Sequence, residues 1–301
     1  MDLTNFAKEV GGIDDGPVTC VGGRTQWDVG GSVDGDAREV VAPSGIVEFE
    51  PAEMVVRVRS GTSVAELDAA LAERGQQVAL DPSAPDLATV GGVLAVGRSG
   101  IRRLRYGPVR DTVLEVRTVM AEGQLVKAGG PVVKNVSGFD LGRLLVGSLG
   151  TLGFLAEVVL RCSPKPPVAQ WLRSPDGADP FAARDCLFRP SSLLWDGTST
   201  WVLLEGHAAD VAAERASLGA GWSEVGGPPA LPVGGHRRSA RPSELRELRG
   251  SSFVAEIGVG TIHVGGEVPP VRVDPSTGEL HRRVKAAFDP TGRMNPGRSV
   301  A

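Results

Sequence analysis

Read for the spacing of its apolar positions, the chain falls into three zones of different texture. Up to about Lys165, short β-rich runs alternate with helical stretches and glycine loops. "MVVRVRS" (54–60) is the valine-rich run of a strand. "SVAELDAALAERG" (63–75) follows as a helix with both ends marked. Ser63 and Glu66 have capping-box spacing, Val64, Leu67 and Leu71 share one face, and Gly75 stands at the stop. "QVAL" (77–80) predicts a short strand, giving a β-α-β unit that leads into the loop "DPSAPD". "TVLEVRTVMAEGQLVKAG" (112–129) predicts two strands joined by a turn near Glu122 and Gly123. "LGRLLVGSLGTLGFLAEVVLRC" (141–162) runs from helix through a glycine loop into a strand. "SPKPP" (163–167) predicts a linker, since proline continues neither helix nor sheet.

The second zone, about 168–275, is looser. "TWVLLEGHAADVAAERASLG" predicts a strand and then a helix. "PPALPVGGHRRSARPSELRELRG" predicts mostly loop with one short charged helix, and "SSFVAEIGVGTIHVGG" predicts strand, turn and strand. In the third zone, "STGELHRRVKAAFDPTGRMNPGR", Ser276 and Glu279 repeat the capping-box spacing, and the helix should end near Phe288.

Composition narrows the picture. At 301 residues the chain accommodates two domains of about 100–200 residues each. A net charge of −4 argues against a nucleic-acid partner, which favours a basic surface. The cysteines Cys20, Cys162 and Cys186 form no CxxC pair, so no iron–sulfur cluster or structural zinc is encoded, and the site is expected to hold no metal. No signal peptide is legible, and no apolar run reaches the ~20 residues of a membrane helix. A soluble, cytoplasmic protein without membrane insertion is expected.

One stretch carries candidate chemistry. "ATVGGVLAVGRSGIRRLRYGPVRD" (88–111) holds five glycines and five arginines. The P-loop pattern is absent, and no GxGxxG sits between a first strand and helix, so neither a P-loop nor a Rossmann domain is supported. Instead four separated glycine loops, "VGGRTQ" (21–26), "TVGG" (89–92), "RYG" (105–107) and "GSLGTLGF" (147–154), offer unscreened backbone amides. Such amides bind phosphate without formal charge. Two readings stand: tight turns in a β-rich domain, or repeated contact with a long diphosphate ligand. Arg110 beside Asp111 predicts a structural ion pair. Arg102, Arg103 and Arg105 read as a solvated face, or else as a surface that meets an acidic partner or steers an anionic substrate.

These segments, with "KNVSGFDLGRLLVGSLGTLGFLAEVVLR" and the terminal "FDPTGRMNPGR", resemble the FAD-binding domain of the p-cresol methylhydroxylase (PCMH)/vanillyl-alcohol oxidase superfamily. Within it they are most similar to the smaller flavoprotein subunit of bacterial glycolate oxidases. The resemblance covers 20–165 and 280–301. It implies an α+β chain: a PCMH-type FAD-binding domain of two α/β subdomains (1–165), a small α+β cap on the substrate side (166–275), and a C-terminal helix and loop (276–301) returning to the FAD domain. By the same resemblance, Val21, Gly22, Gly23, Arg24, Thr25 and Gln26, with Thr89, Val90, Gly91 and Gly92, wrap the FAD pyrophosphate. Gly97, Ser99, Gly100, Tyr106, Gly107 and Arg110 line the ribityl and ring side. Gly150, Thr151, Gly153, Phe154 and Leu155 surround the adenosine half, and Asn295 approaches the isoalloxazine. Covalent relatives place a histidine in the first loop where this chain has "RTQ", so FAD is expected to be non-covalent.

Larger relatives that oxidise D-2-hydroxy acids carry H-A-G-D-G-N-L-H. Here the corresponding stretch is "EIGVGTIH", with Glu256 and His263 at its ends. The pair reads as a metal-ligating or acid–base site, or as a hairpin glutamate and a hydrogen-bonded histidine. The implied function is an accessory FAD subunit of a 2-hydroxy acid dehydrogenase complex. It would act beside a larger homologous flavoprotein and an iron–sulfur subunit that takes the electrons. The alternative is a stand-alone FAD-dependent dehydrogenase or oxidase of a small substrate.

Overall fold

The computed structural model describes residues 2–130, 140–232, 236–250, 252–266 and 273–299; the "KNVSGF" portion of the third motif lies outside them. The chain divides into two compact units. The first takes 1–100, 108–165 and 271–301, and the second takes 101–107 and 166–270.

The first unit opens with α1 (Leu3–Val10), β1 (Val18–Val21), β2 (Arg38–Val41), β3 (Ile46–Glu50), β4 (Val55–Arg59), α2 (Val64–Ala72), β5 (Gln76–Gln77) and α3 (Val90–Val96). After α4 (Arg103–Tyr106), which belongs to the second unit, it resumes with β6 (Val113–Val119), β7 (Leu125–Gly129), α5 (Leu141–Leu145), β8 (Phe154–Arg161) and β9 (Ser163–Pro164). Five strands form an antiparallel sheet in the order β3-β4-β8-β6-β7, while β1 and β2 pair in parallel. "FLAEVVLR" is buried along all of β8 except Arg161, as a central strand covered on both faces must be. Val158 and Leu160 pack with Leu67, Leu71, Val93 and Leu94 in one core. Phe154 and Ala156 pack with Phe6, Val10 and Val40 in another.

The second unit continues with β10 (Val168–Arg173), α6 (Pro180–Cys186), β11 (Ser192–Trp195), β12 (Thr200–Gly206), α7 (Ala208–Ser217), β13 (Ser223–Val225), β14 (His236–Ser239), β15 (Phe253–Glu256) and β16 (Thr261–Val264). These make a seven-stranded antiparallel sheet, ordered β13-β10-β12-β11-β15-β16-β14. Alternate residues Leu172, Leu193, Val202, Leu204, Ala255 and Ile262 face a core shared with Ala183 of α6 and Val211 of α7. The last helix, α8 (Pro275–Phe288), belongs to the first unit.

Ser63 caps α2 as expected, its side chain accepting from the Glu66 amide. Four local expectations are corrected. Helix α8 is capped by Asp274, which accepts from the Ser276 and Thr277 amides with Pro275 at the first helical position, so the Ser276 signal is displaced by a better cap. "HRRS" (236–239), expected as loop, is edge strand β14, paired with β16 alone. The "QVAL" strand reduces to Gln76–Gln77, laddered to Ser163–Pro164, while Val78 and Leu80 enter the core outside any ladder. The solvated arginine face is instead a set of contacts within the second unit. Arg102 pairs with Glu205, Arg105 donates to the Glu205 carbonyl, and the Tyr106 hydroxyl donates to Glu205 Oε2 at 3.1 Å.

A candidate cofactor cavity

Gly22, Gly91 and Gly150, 128 positions apart at the extremes, line one cavity of about 400 Å³ in the first unit. Its walls are the end of β1 with Gly22 and Gly23, Ser60 and Gly61 after β4, the start of α3, the loop before β8, and Asn295. A smaller recess shares Cys20, Gly22 and Asn295 and adds Arg24, Thr25, Gln26, Trp27 and Arg298.

The glycines serve the joints between these walls. A Cβ on Gly23 would lie 1.6 Å from the Leu87 carbonyl oxygen, and one on Gly91 would lie 2.6 Å from Ser60 Cβ. Both positions are closed to any side chain because neighbouring segments approach too near. The amides divide into two groups. Gly91 N–H donates to Ser60 O at 2.8 Å and Gly92 N–H to Thr89 Oγ1 at 3.1 Å, so the "TVGG" donors are engaged inside the protein. The amides of Gly23, Arg24 and Thr25 have no acceptor among the described residues.

Two side chains point to a ligand. Ser60 Oγ and Ser148 Oγ are buried without a hydrogen-bond partner, and both residues line the cavity. A buried hydroxyl left unsatisfied costs about 1–3 kcal/mol, which a polar ligand in the cavity would recover. Cys20 also lines the cavity. Burial pushes its thiol up to about 12, against an opposing hydrogen bond from Ala42, so it is a neutral wall atom. Two guanidinium groups lie over the Trp27 ring, Arg298 at 4.4 Å and Arg24 at 4.9 Å from its centre. Arg24 also pairs with Glu39 at 2.6 Å.

The structure brings together Val21, Gly22, Gly23, Thr89, Gly91, Gly92, Gly150, Gly153, Phe154, Leu155 and Asn295 at the cavity, with Arg24, Thr25 and Gln26 in the recess. Other expected residues stand elsewhere. Val90 is core, and Gly97 is the left-handed C-cap of α3. Ser99 Oγ accepts from the Val109 amide, and Gly100 packs on Asp81. Thr151 lines a separate groove against α8, and Tyr106 and Gly107 belong to the second unit. Asp111 takes Arg143 as its ion-pair partner at 2.6 Å rather than Arg110. Cys20, Ser60 and Ser148 line the cavity and Trp27 lines the recess, although none of the four is among the expected site residues.

In the second unit, Glu256 and His263 meet across the β15–β16 hairpin. His263 Nε2 lies 2.8 Å from Glu256 Oε1, and both residues are buried, at 4% and 2% exposure. Glu256 Oε2 has no hydrogen-bond partner. Arg237 stands opposite His263 in the β14–β16 register, and burial pulls its guanidinium below the ordinary value against the attraction of Glu256. Among the described residues, no three His, Cys, Asp or Glu side chains gather closely enough to hold a metal ion. The pair can hold and pass one proton.

Comparison with known proteins settles the family. Residues 12–129 match the model of an FAD binding domain, and 252–299 match the C-terminal domain of FAD linked oxidases. The chain is 30% identical over 325 aligned positions to glycolate oxidase subunit GlcE of Escherichia coli (strain K12), covering 95% of this chain and 93% of that one. It belongs to the PCMH-type family of FAD-linked oxidoreductases. Glycolate oxidase subunit GlcD of Bacillus subtilis (strain 168) is 36% identical over 40% of this chain and 26% of its own length. The D-lactate dehydrogenase of Archaeoglobus fulgidus is 35% identical over 50% of this chain and 34% of its own. In fold, the chain is similar to a solved alkyldihydroxyacetonephosphate synthase, with TM-score 0.71 at 14% identity, covering 98% of this chain and 75% of that one. The family's cofactor is FAD. Its chemistry fits a cavity that offers unpaired amides and two orphaned hydroxyls.

Proposed function

We propose that this chain is an accessory flavoprotein of a glycolate-oxidase-like 2-hydroxy acid dehydrogenase complex. It would act beside a larger homologous flavoprotein and pass electrons to an iron–sulfur subunit. The observation that carries this reading is the end-to-end similarity to a glycolate oxidase subunit. The similarity to GlcD and to D-lactate dehydrogenase covers only about half of this chain or less.

FAD would lie in the first-unit cavity. The Gly23, Arg24 and Thr25 amides would meet its diphosphate, Ser60 and Ser148 would donate to it, and Trp27 with Arg298 would flank the recess. Bound there, FAD supplies two-electron redox chemistry. The attachment would be non-covalent: the first glycine loop reads Arg24-Thr25-Gln26 without a histidine, and the Cys20 thiol, pushed up to about 12 by burial, stays protonated. A cytoplasmic location agrees with three free cysteines, and among the described residues no helix is long and apolar enough to cross a membrane.

The Glu256–His263 pair favours a second reading, a stand-alone dehydrogenase whose proton acceptor is this pair. One experiment separates the two. The purified FAD-loaded chain is given glycolate and D-lactate with an artificial electron acceptor. The accessory reading expects no turnover without partner subunits, and turnover at ordinary enzyme rates, about 1 s⁻¹ or more, would reject it.

A further inference from the structure

The Lys285 side chain, outside every glycine motif, ties two of the cavity's lining segments together. It projects from α8 into the half-buried space between that helix and the loop before β8, and its ammonium has three donors. All three are used. One goes to the Thr151 carbonyl at 2.7 Å, one to the Met294 carbonyl at 3.0 Å, and one to the fully buried carboxylate of Asp289. That carboxylate also accepts from the Met294 amide at 2.8 Å and the Arg293 amide at 3.1 Å. One cation thus joins the 147–153 loop to the chain leading into Asn295.

Asn295 completes the link. Its backbone amide donates to Val18 of β1 at 2.9 Å, its Oδ1 accepts from the Cys20 amide at 3.2 Å, and its Nδ2 donates to the Leu149 carbonyl at 2.6 Å. β1 supplies one part of the cavity lining, and the loop carrying Ser148, Gly150 and Gly153 supplies another. A trans peptide points its C=O and N–H in opposite directions. Holding the Leu149 and Thr151 carbonyls therefore also fixes the amides of Gly150 and Leu152, neither of which has an acceptor among the described residues.

We infer that Lys285 is a positioning residue for FAD: it acts through Thr151, Met294 and Asn295 to hold the cavity walls at ligand-binding separation. This rests on the reading that FAD occupies the first-unit cavity. Lys285 is absent from the lining of both cavity and recess, so its effect on FAD must travel through the backbone it grips.

The test is FAD titration of the full chain by flavin fluorescence, with the thermal midpoint of the FAD-free protein measured in parallel. Lys285→Met leaves Asp289 buried without its cation, so it is paired with Lys285→Met/Asp289→Asn, which removes both charges. The double variant should stay folded yet bind FAD about 10- to 100-fold more weakly, and at saturating FAD its flavin absorption band should differ from the parent's. Lys285→Arg should recover part of the affinity. An unchanged dissociation constant and spectrum in a folded variant would overturn the inference. Should both variants fail to fold, hydrogen–deuterium exchange on the unaltered chain decides. FAD should slow exchange at 149–153 and 293–296 together, and slowing confined to 22–26 overturns the clamp alone. An unaltered chain in which FAD slows exchange at none of these segments overturns the cavity reading and the clamp with it.

Discussion

The two units build polar sites by opposite means. In the first, the cavity is a matter of backbone: strand ends and loops brought so close that glycine is obligatory, with two serine hydroxyls as its unpaired side-chain donors. In the second, Glu256 and His263 are side chains set by register on a hydrogen-bonded hairpin. A backbone site tolerates changes of surface side chains but no Cβ at its joints. A side-chain site tolerates small changes of shape but no loss of the hydrogen-bonding atom. The lesson is that the same chain should answer substitution differently in its two halves.

The sharpest way to break that contrast is at Gly91. Gly91→Leu should abolish FAD retention, and even Gly91→Ala should destabilise by about 1–3 kcal/mol through overpacking. The clash is with Ser60 rather than with the ligand path, so adding Ser60→Gly to Gly91→Ala should recover part of the lost stability. Thermal melts and the flavin content of the purified variants measure both effects, and parent-like flavin content in Gly91→Leu would remove the cavity from the argument.

A smaller effect is expected at the hairpin. Glu256→Leu leaves His263 without its partner and should cost about 1–3 kcal/mol, whereas Glu256→Gln keeps a hydrogen bond and should cost less. Neither should change FAD content, because the cavity lies in the first unit. A flavin-free Glu256→Gln protein would erase the distinction between the halves.

The smallest effect concerns the thiols. Burial holds Cys162, like Cys20, up to about 12, while Cys186 is exposed. Iodoacetamide at pH 8 should therefore label Cys186 first, with all three labelled in urea. The linkage sign follows: unfolded thiols ionise near pH 8.5, while Cys20 and Cys162 in the folded chain are held up to about 12, so the stability these two contribute should fall as pH rises from about 8.5 towards 12. Equal labelling of Cys20 and Cys186 in the folded chain would show that burial does not hold the Cys20 thiol up.

How much of this was legible beforehand differs by unit for the same reason. The glycine loops report backbone close approach, and close approach is what builds the first-unit cavity; the letters singled out these loops, and the family resemblance put Gly22, Gly91 and Gly150 on one ligand. What the letters conceal is direction: that the Gly91 and Gly92 amides face Ser60 and Thr89. Ser60 and Ser148 end or interrupt ordinary patterns and become polar lining only through contacts far apart in sequence. Strand β14 was missed because His236, Arg237 and Arg238 show no apolar alternation, as befits an edge paired on one side only. Segment 101–107 follows the first unit in sequence but is held in the second by Glu205, a hundred positions away, which no local pattern reports.

The Cys20–Asn295 hydrogen bond spans 275 positions. While the polypeptide is being made, the glycine motifs emerge early but face an open trough until residue 295 has left the ribosome. Flavin loading in this cavity would then wait for residue 295, and a product cut short before Asn295 would carry the glycine loops yet lack the tie from Cys20 to Leu149.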